Sequence, residues 1–161
     1  MGMKSENDTN ISFEEESIFD LEVSRRFIAR IERLNSNTTP LWGKMNAGQM
    51  LAHCSGAFEH KSSSSLPILT RLLIKIFRRE IVIGNKPYPK GMKTSKAFVI
   101  DDHRDFDHEK TRLIAGIQNT QKLGESFFKN RKHPIFGKIT VKEWNTFLVK
   151  HLNHHLNQFG V

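Results

Sequence analysis

The sequence predicts an all-α fold, and three features agree on it. Apolar residues recur at three- and four-residue spacing in four or five segments, and two of these segments open on a capping box. The turn-forming residues Gly84, Pro87, Pro89 and Gly91 gather in one long stretch between helical segments. Helices with one apolar stripe bury it by packing together, so the architecture is a helical bundle with an extra short helix and a long loop. With 161 residues, 37% of them hydrophobic, the chain has room for one core. The expected organisation is a disordered N-terminal tail over 1–16 and a single domain over 17–161.

The elements follow in order. From Phe19 to Leu34, the residues Leu21, Phe27, Ile28, Ile31 and Leu34 repeat at helical spacing, and Asn35, Ser36 and Asn37 end the segment. The second helix starts after Asn46, an N-cap with Gln49 three residues on, and runs to about Lys61 before the polar HKSSSS loop. Pro67 opens a short, apolar and basic helix, PILTRLLIKIFRR, to about Arg79. The stretch from Glu80 to Asp107 is a long excursion with short extended pieces at IVI and AFVI. Asp107 caps a helix to about Asn130 that buries Leu113, Ile117, Leu123 and Phe127, and RKHPIFGKI is a loop. Thr140 and Glu143 form the second capping box, and the last helix runs to Phe159 with Gly160 as its stop.

Charge and composition exclude several classes. The net charge is +8, and between Arg71 and Lys96 eight cations face Glu80 alone, whereas the first twenty residues are acidic. That block could attract an anionic small molecule or an anionic surface, but it matches no nucleic-acid-binding motif, so no nucleic-acid partner is expected. No apolar run reaches the roughly 18 to 20 residues of a membrane span, and the polar start is unlike a signal peptide. Cys54 is the single cysteine, so no internal disulfide forms and a cytoplasmic location is expected.

The last helix carries the chemistry. Trp144, Leu148, His151 and His155 share one arc of it, flanked by Phe147, Leu152 and Phe159, while Lys142, Asn145, Lys150, Asn153 and Asn157 turn away. His154 stands at the edge of the arc beside Phe147. Histidines at i and i+4 bring their rings close enough to share one cation. His53 lies on the apolar arc of the second helix with Met50, Cys54, Ala57 and Phe58, which places it toward the same core. Three histidines from two helices leave a coordination position open, as a catalytic metal requires. The H-x-x-x-H spacing occurs in zinc proteases too, but Leu152 stands where those need a glutamate base.

His60, His103, His108 and His133 are read as hydrogen-bonded core or surface histidines, and Cys54 as a small buried thiol. Glu59, Asp101, Asp102 and Asp105 are the available acids or bases, each read first as a surface residue. Trp42 and Trp144 are assigned to the core or to the loop entering the second helix, and Gly43 to a turn there.

The stretches LWGKMNAGQMLAHCSGAFEH, HPIFGKIT and KHLNHHLNQFG resemble the DinB/YfiT-like superfamily of metal-binding four-helix bundles. More narrowly, they are similar to a branch carrying W-G-K-M-x-A-x-Q-M-x-x-H. The resemblance implies an up-down-down-up bundle and a metal triad whose positions match His53, His151 and His155, with His154 outside the motif. It also implies a divalent ion such as zinc or nickel, and a homodimer. Characterised relatives include thiol-dependent transferases and isomerases.

Two uses of the open position follow. The ion could hold a low-molecular-weight thiol as thiolate for attack on a small, anionic electrophile, the preferred reading, or it could activate water for hydrolysis. A reading of another class makes PILTRLLIKIFRR a docking helix for a membrane surface or a protein partner, the protein then being a non-enzymatic module.

Overall fold

A computed structural model of the chain describes residues 16–60, 66–84, 86–92 and 99–161. Six helices appear there: α1 (Leu21–Glu32), α2 (Ala47–Phe58), α3 (Ile68–Phe77), α4 (Arg79–Ile83), α5 (Phe106–Phe128) and α6 (Val141–Gln158). The strands β1 (Lys132–His133) and β2 (Gly137–Lys138) form one antiparallel pair. The expected tail over 1–16 lies outside the described residues except Glu16. Lys61, the four serines, Ala97, Phe98, Lys93 and Lys96 also lie outside them.

Side-chain bonds at the helix ends fix the directions. Asn145, early in α6, accepts from the Ile18 amide at 2.8 Å, and Arg30, late in α1, reaches Asn153 and Asn157 at 2.8 Å each. These two helices therefore run parallel. Lys110, early in α5, donates to the carbonyls of Glu32 and Leu34 at 3.0 Å, while Gln121 reaches back to the Phe19 carbonyl, so α5 opposes α1. α2 follows α5: Gly48 sits so close under the Arg104 carbonyl that a Cβ would come within 2.7 Å of it, and His60, past the end of α2, meets Thr120 at 2.8 Å. The result is an up-down-down-up bundle of α1, α2, α5 and α6.

The four bundle helices α1, α2, α5 and α6 start where the sequence supplies side-chain acceptors for the first free amides. Both capping boxes, Asn46 with Gln49 and Thr140 with Glu143, are formed, each worth about 1 kcal/mol or more. α1 begins at Leu21, because Asp20 caps it, and Leu21 is 47% exposed instead of joining the core. α5 begins two residues sooner than expected, capped by Asp105 in place of Asp107. Phe27, Ile31, Met50, Leu51, Leu113, Ile117, Trp144, Leu148, Leu152 and Leu156 fill the shared interior, where truncating one leucine to alanine costs about 2 to 5 kcal/mol.

Five expectations are corrected. The helix after Pro67 breaks at Arg78 (φ −120°, ψ 0°), and IVI is helical within α4, not extended. The loop RKHPIFGKI contains the small hairpin β1–β2. Leu123 and Phe127 are half-buried and Phe128 takes the core position, because Gly124 (φ 64°, ψ −178°) interrupts the phase of α5. Lys150 does not face water. It is 2% exposed, and its Nζ donates to the carbonyls of Ile81, at 2.7 Å, and Gly84 at the end of α4.

Candidate metal centre

The second and sixth helices run antiparallel, so the middle of one faces the C-terminal half of the other. There the structure brings His53, His151 and His155 together. One nitrogen from each lies within 4.8 Å of the others, and the ring centroids are 4.9, 4.8 and 4.8 Å apart. His151 and His155 are buried and His53 is half-buried, which leaves one side of the group facing out.

The neighbours decide which nitrogens face inward. Gln158 donates from Nε2 to the Trp42 carbonyl at 2.6 Å, and that carbonyl can only accept. Its Oε1 is therefore turned to His155 Nδ1 at 2.9 Å, so Nδ1 carries the proton and His155 Nε2 keeps its lone pair for the shared point. Gly43 makes this possible. Its φ of 87° suits glycine, and a Cβ there would stand 2.4 Å from Gln158 Nε2. The Nε2 atoms of His53 and His151 face each other at 2.9 Å. Only one of them can hold a proton in that contact, whereas a cation between the rings would use both lone pairs.

Burial keeps the His151 and His155 rings neutral. It holds His151 well below the ordinary histidine range, with repulsion from His155, His53 and His154 adding to it. Burial likewise takes His155 down to about 3, mainly against the pull of the Gln158 hydrogen bond. Neutral imidazoles at physiological pH are the form that binds metals. Phe147 stacks on His151 at 5.7 Å with 10° between planes, and His151 Nδ1 is buried with no hydrogen-bond partner among the described residues.

Around the open side stand Tyr88, which the sequence did not single out, and Trp42, His154 and Lys90, which it did not place there. Tyr88 packs 5.4 Å from His154 and 6.5 Å from His151, anchors its hydroxyl on the Val82 carbonyl at 3.1 Å, and is pushed above the usual tyrosine range by burial. Trp42 lies edge-on to His154 at 6.0 Å, with the Lys90 ammonium 4.7 Å over its indole. Gln158 had a signal, three residues after His155 on one helix face. Tyr88 sits in the excursion and had none, whereas Lys90 belonged to the basic block.

The remaining expectations divide cleanly. His154 stays outside the three-histidine group, half-buried between the two aromatic rings. His60 and His133 are buried with hydrogen bonds of their own, and His103 and His108 are exposed. Trp144 is core, and Cys54 is fully buried with its thiol pushed up by desolvation. Glu59 pairs with Arg112, Asp102 with Arg104, Asp105 caps α5, and Asp101 is exposed, so none of the four joins the histidines. Glu109 is a buried acid that periodicity missed, held 2.8 Å from Arg112.

Residues 17–160 match the family described as "Protein of unknown function (DUF1569)", and the chain belongs to that family, which is placed in the DinB/YfiT-like clan. Neither the curated proteins nor the solved structures give a match.

Proposed function

We propose that the chain is a divalent-metal-dependent enzyme, with zinc or nickel held by His53, His151 and His155, that transfers a low-molecular-weight thiol to a small anionic electrophile. The observation that carries this reading is the convergence of three imidazoles from two helices, with the His155 proton turned outward by Gln158. Three uncharged ligands leave the charge of a divalent ion uncompensated, which favours an anionic outside ligand such as a thiolate. Bound there, the ion supplies Lewis acidity that keeps such a thiol ionised at neutral pH.

The chain's own residues do the rest. Gln158 orients His155, Phe147 restrains the plane of His151, and Tyr88, Trp42 and His154 exclude water from one wall. Lys90 brings a positive charge to that wall, which suits an anionic substrate. The W-G-K-M-x-A-x-Q-M-x-x-H stretch reads as a signature of this centre, since Trp42 lends a carbonyl, Gly43 leaves room and His53 is a ligand.

Metal analysis of protein purified without a histidine tag tests the centre. About one ion per chain is expected in the parent, with strong loss in His53→Ala and in His151→Ala. Equal metal content in all three would remove the site. Thiol-dependent displacement of halide from a carboxylate-bearing alkyl or aryl halide by the loaded protein, the C–S bond forming as halide leaves, tests the reaction, and turnover with water alone would replace it by hydrolysis.

A further inference from the structure

α3 is an unusual surface for a bundle protein. Ile68, Leu69, Leu72, Leu73, Ile76 and Phe77 are between 48% and 81% exposed, six large apolar side chains within ten residues. At about 100° per residue they fill one half of the helix. Ile74 lies on the opposite half and packs against the core, while Arg71 and Lys75 flank the apolar arc. No acid occurs from Leu66 to Arg79.

Beside the arc, a groove of about 370 Å³ runs between α3 and the β1–β2 hairpin. Leu72, Pro134 and Ile135 line it together with three cations, Arg71, Lys75 and Lys132, and none of the three clustered histidines does. Arg71, whose buried Nε–H has no acceptor among the described residues, stands with Lys75 and Lys132 along the groove, and the three cations make it attractive to an oxyanion.

We propose that α3 and this groove seat the protein on an anionic bilayer, with the six apolar side chains in the interface and lipid phosphates at Arg71, Lys75 and Lys132. Charge selects this occupant. Pairing α3 with α3 of a second copy would set cations near cations with no acid on the helix to neutralise them, whereas an anionic leaflet offers opposite charge next to hydrocarbon. The surface is separate from the histidine cluster, so the protein would hold its chemistry close to a membrane without spanning it. Among the described residues no helix is long and apolar enough to cross one.

Sedimentation of the full chain with vesicles of phosphatidylglycerol and phosphatidylcholine, against pure phosphatidylcholine, tests this. Binding should need the anionic lipid and weaken with salt. Arg71→Glu with Lys75→Glu should lower partitioning by about tenfold or more. Leu72→Glu with Ile76→Glu should abolish it, and the charge-matched control Lys122→Glu on α5 with Lys129→Glu at its C-cap should retain it. Unchanged circular dichroism and metal content would show that the variants fold, and keep this result independent of the metal reading. Equal binding to neutral vesicles, full binding by the Leu72→Glu/Ile76→Glu chain, or a parent that ignores vesicles would overturn the proposal. So would a dimer that the same pair of substitutions dissolves, which would assign α3 to a second copy.

Discussion

Five of the six buried or half-buried histidines of this bundle, all but His154, fall into two kinds. At the hairpin, His133 Nδ1 accepts the amides of Ile135 and Phe136 at 3.1 and 3.2 Å, and its ring packs among Phe136, Trp144 and Phe147. Past the end of α2, His60 meets Thr120. Both have burial-lowered pKa values of about 4, the effect of Arg131 adding to burial at His60. His53, His151 and His155 are different because their nitrogens face one another. A depressed pKa is thus shared by both kinds and marks neither. Where the lone pairs point separates a structural histidine from a ligand.

The largest expected effect breaks that contrast most directly. His151→Ala should lower metal affinity by more than about a hundredfold, since it removes a proposed ligand outright where an outer partner alone is worth 10–100-fold. Metal at a thousand times its dissociation constant should stabilise the parent by about 4 kcal/mol in thermal unfolding, and the variant hardly at all. His133→Ala should do the reverse. It strands two backbone amides and opens a cavity, costing about 3 kcal/mol in urea unfolding, with metal content unchanged. Loss of metal in His133→Ala would erase the distinction.

Acid sharpens it next. His60 and His133 fall from 6.5 to about 4 on folding, so between those values the unfolded chain binds more protons. The stability they confer is complete above pH 6.5 and drains as the pH falls through 4, by up to about 3 kcal/mol for His133. Urea midpoints of metal-free protein should drop between pH 7 and pH 4, and less steeply in His133→Leu.

Smaller effects belong to the supporting residues. Gln158→Leu should weaken metal binding by about 10–100-fold, or roughly 1.4 to 2.7 kcal/mol, in competition with a chelator, while His53 and His151 remain. Gly43→Ala should act in the same direction, because its Cβ would displace the Gln158 amide. Smallest of all, Cys54 should resist thiol reagents in the folded protein and react only on unfolding, since it is fully buried.

Much of this was legible in the sequence because local rules governed it. Two capping boxes located the starts of α2 and α6, and a 3.6-residue period put His151 and His155 on the arc that faces His53. Where the reading failed, something non-local or aperiodic intervened. Counting through Gly124 assigned Phe127 to a place that Phe128 fills, since one residue of positive φ rotates everything after it. The polar face of the last helix lost Lys150 to the excursion that packs over it, a contact across 69 positions that no window of residues contains. The break at Arg78 had no glycine or proline to announce it.

Lys150 ties together parts of the chain that would otherwise melt apart. Its ammonium rests on carbonyls of α4 one position before His151, and burial lowers it to about 8 while Glu80 opposes the shift. Peeling α4 and the turn that carries Tyr88 away from α6 would strand that charge in a poorly solvated pocket. Hydrogen exchange should therefore find this short helix protected to the same degree as the middle of α6, as one cooperative unit, despite its five-residue length.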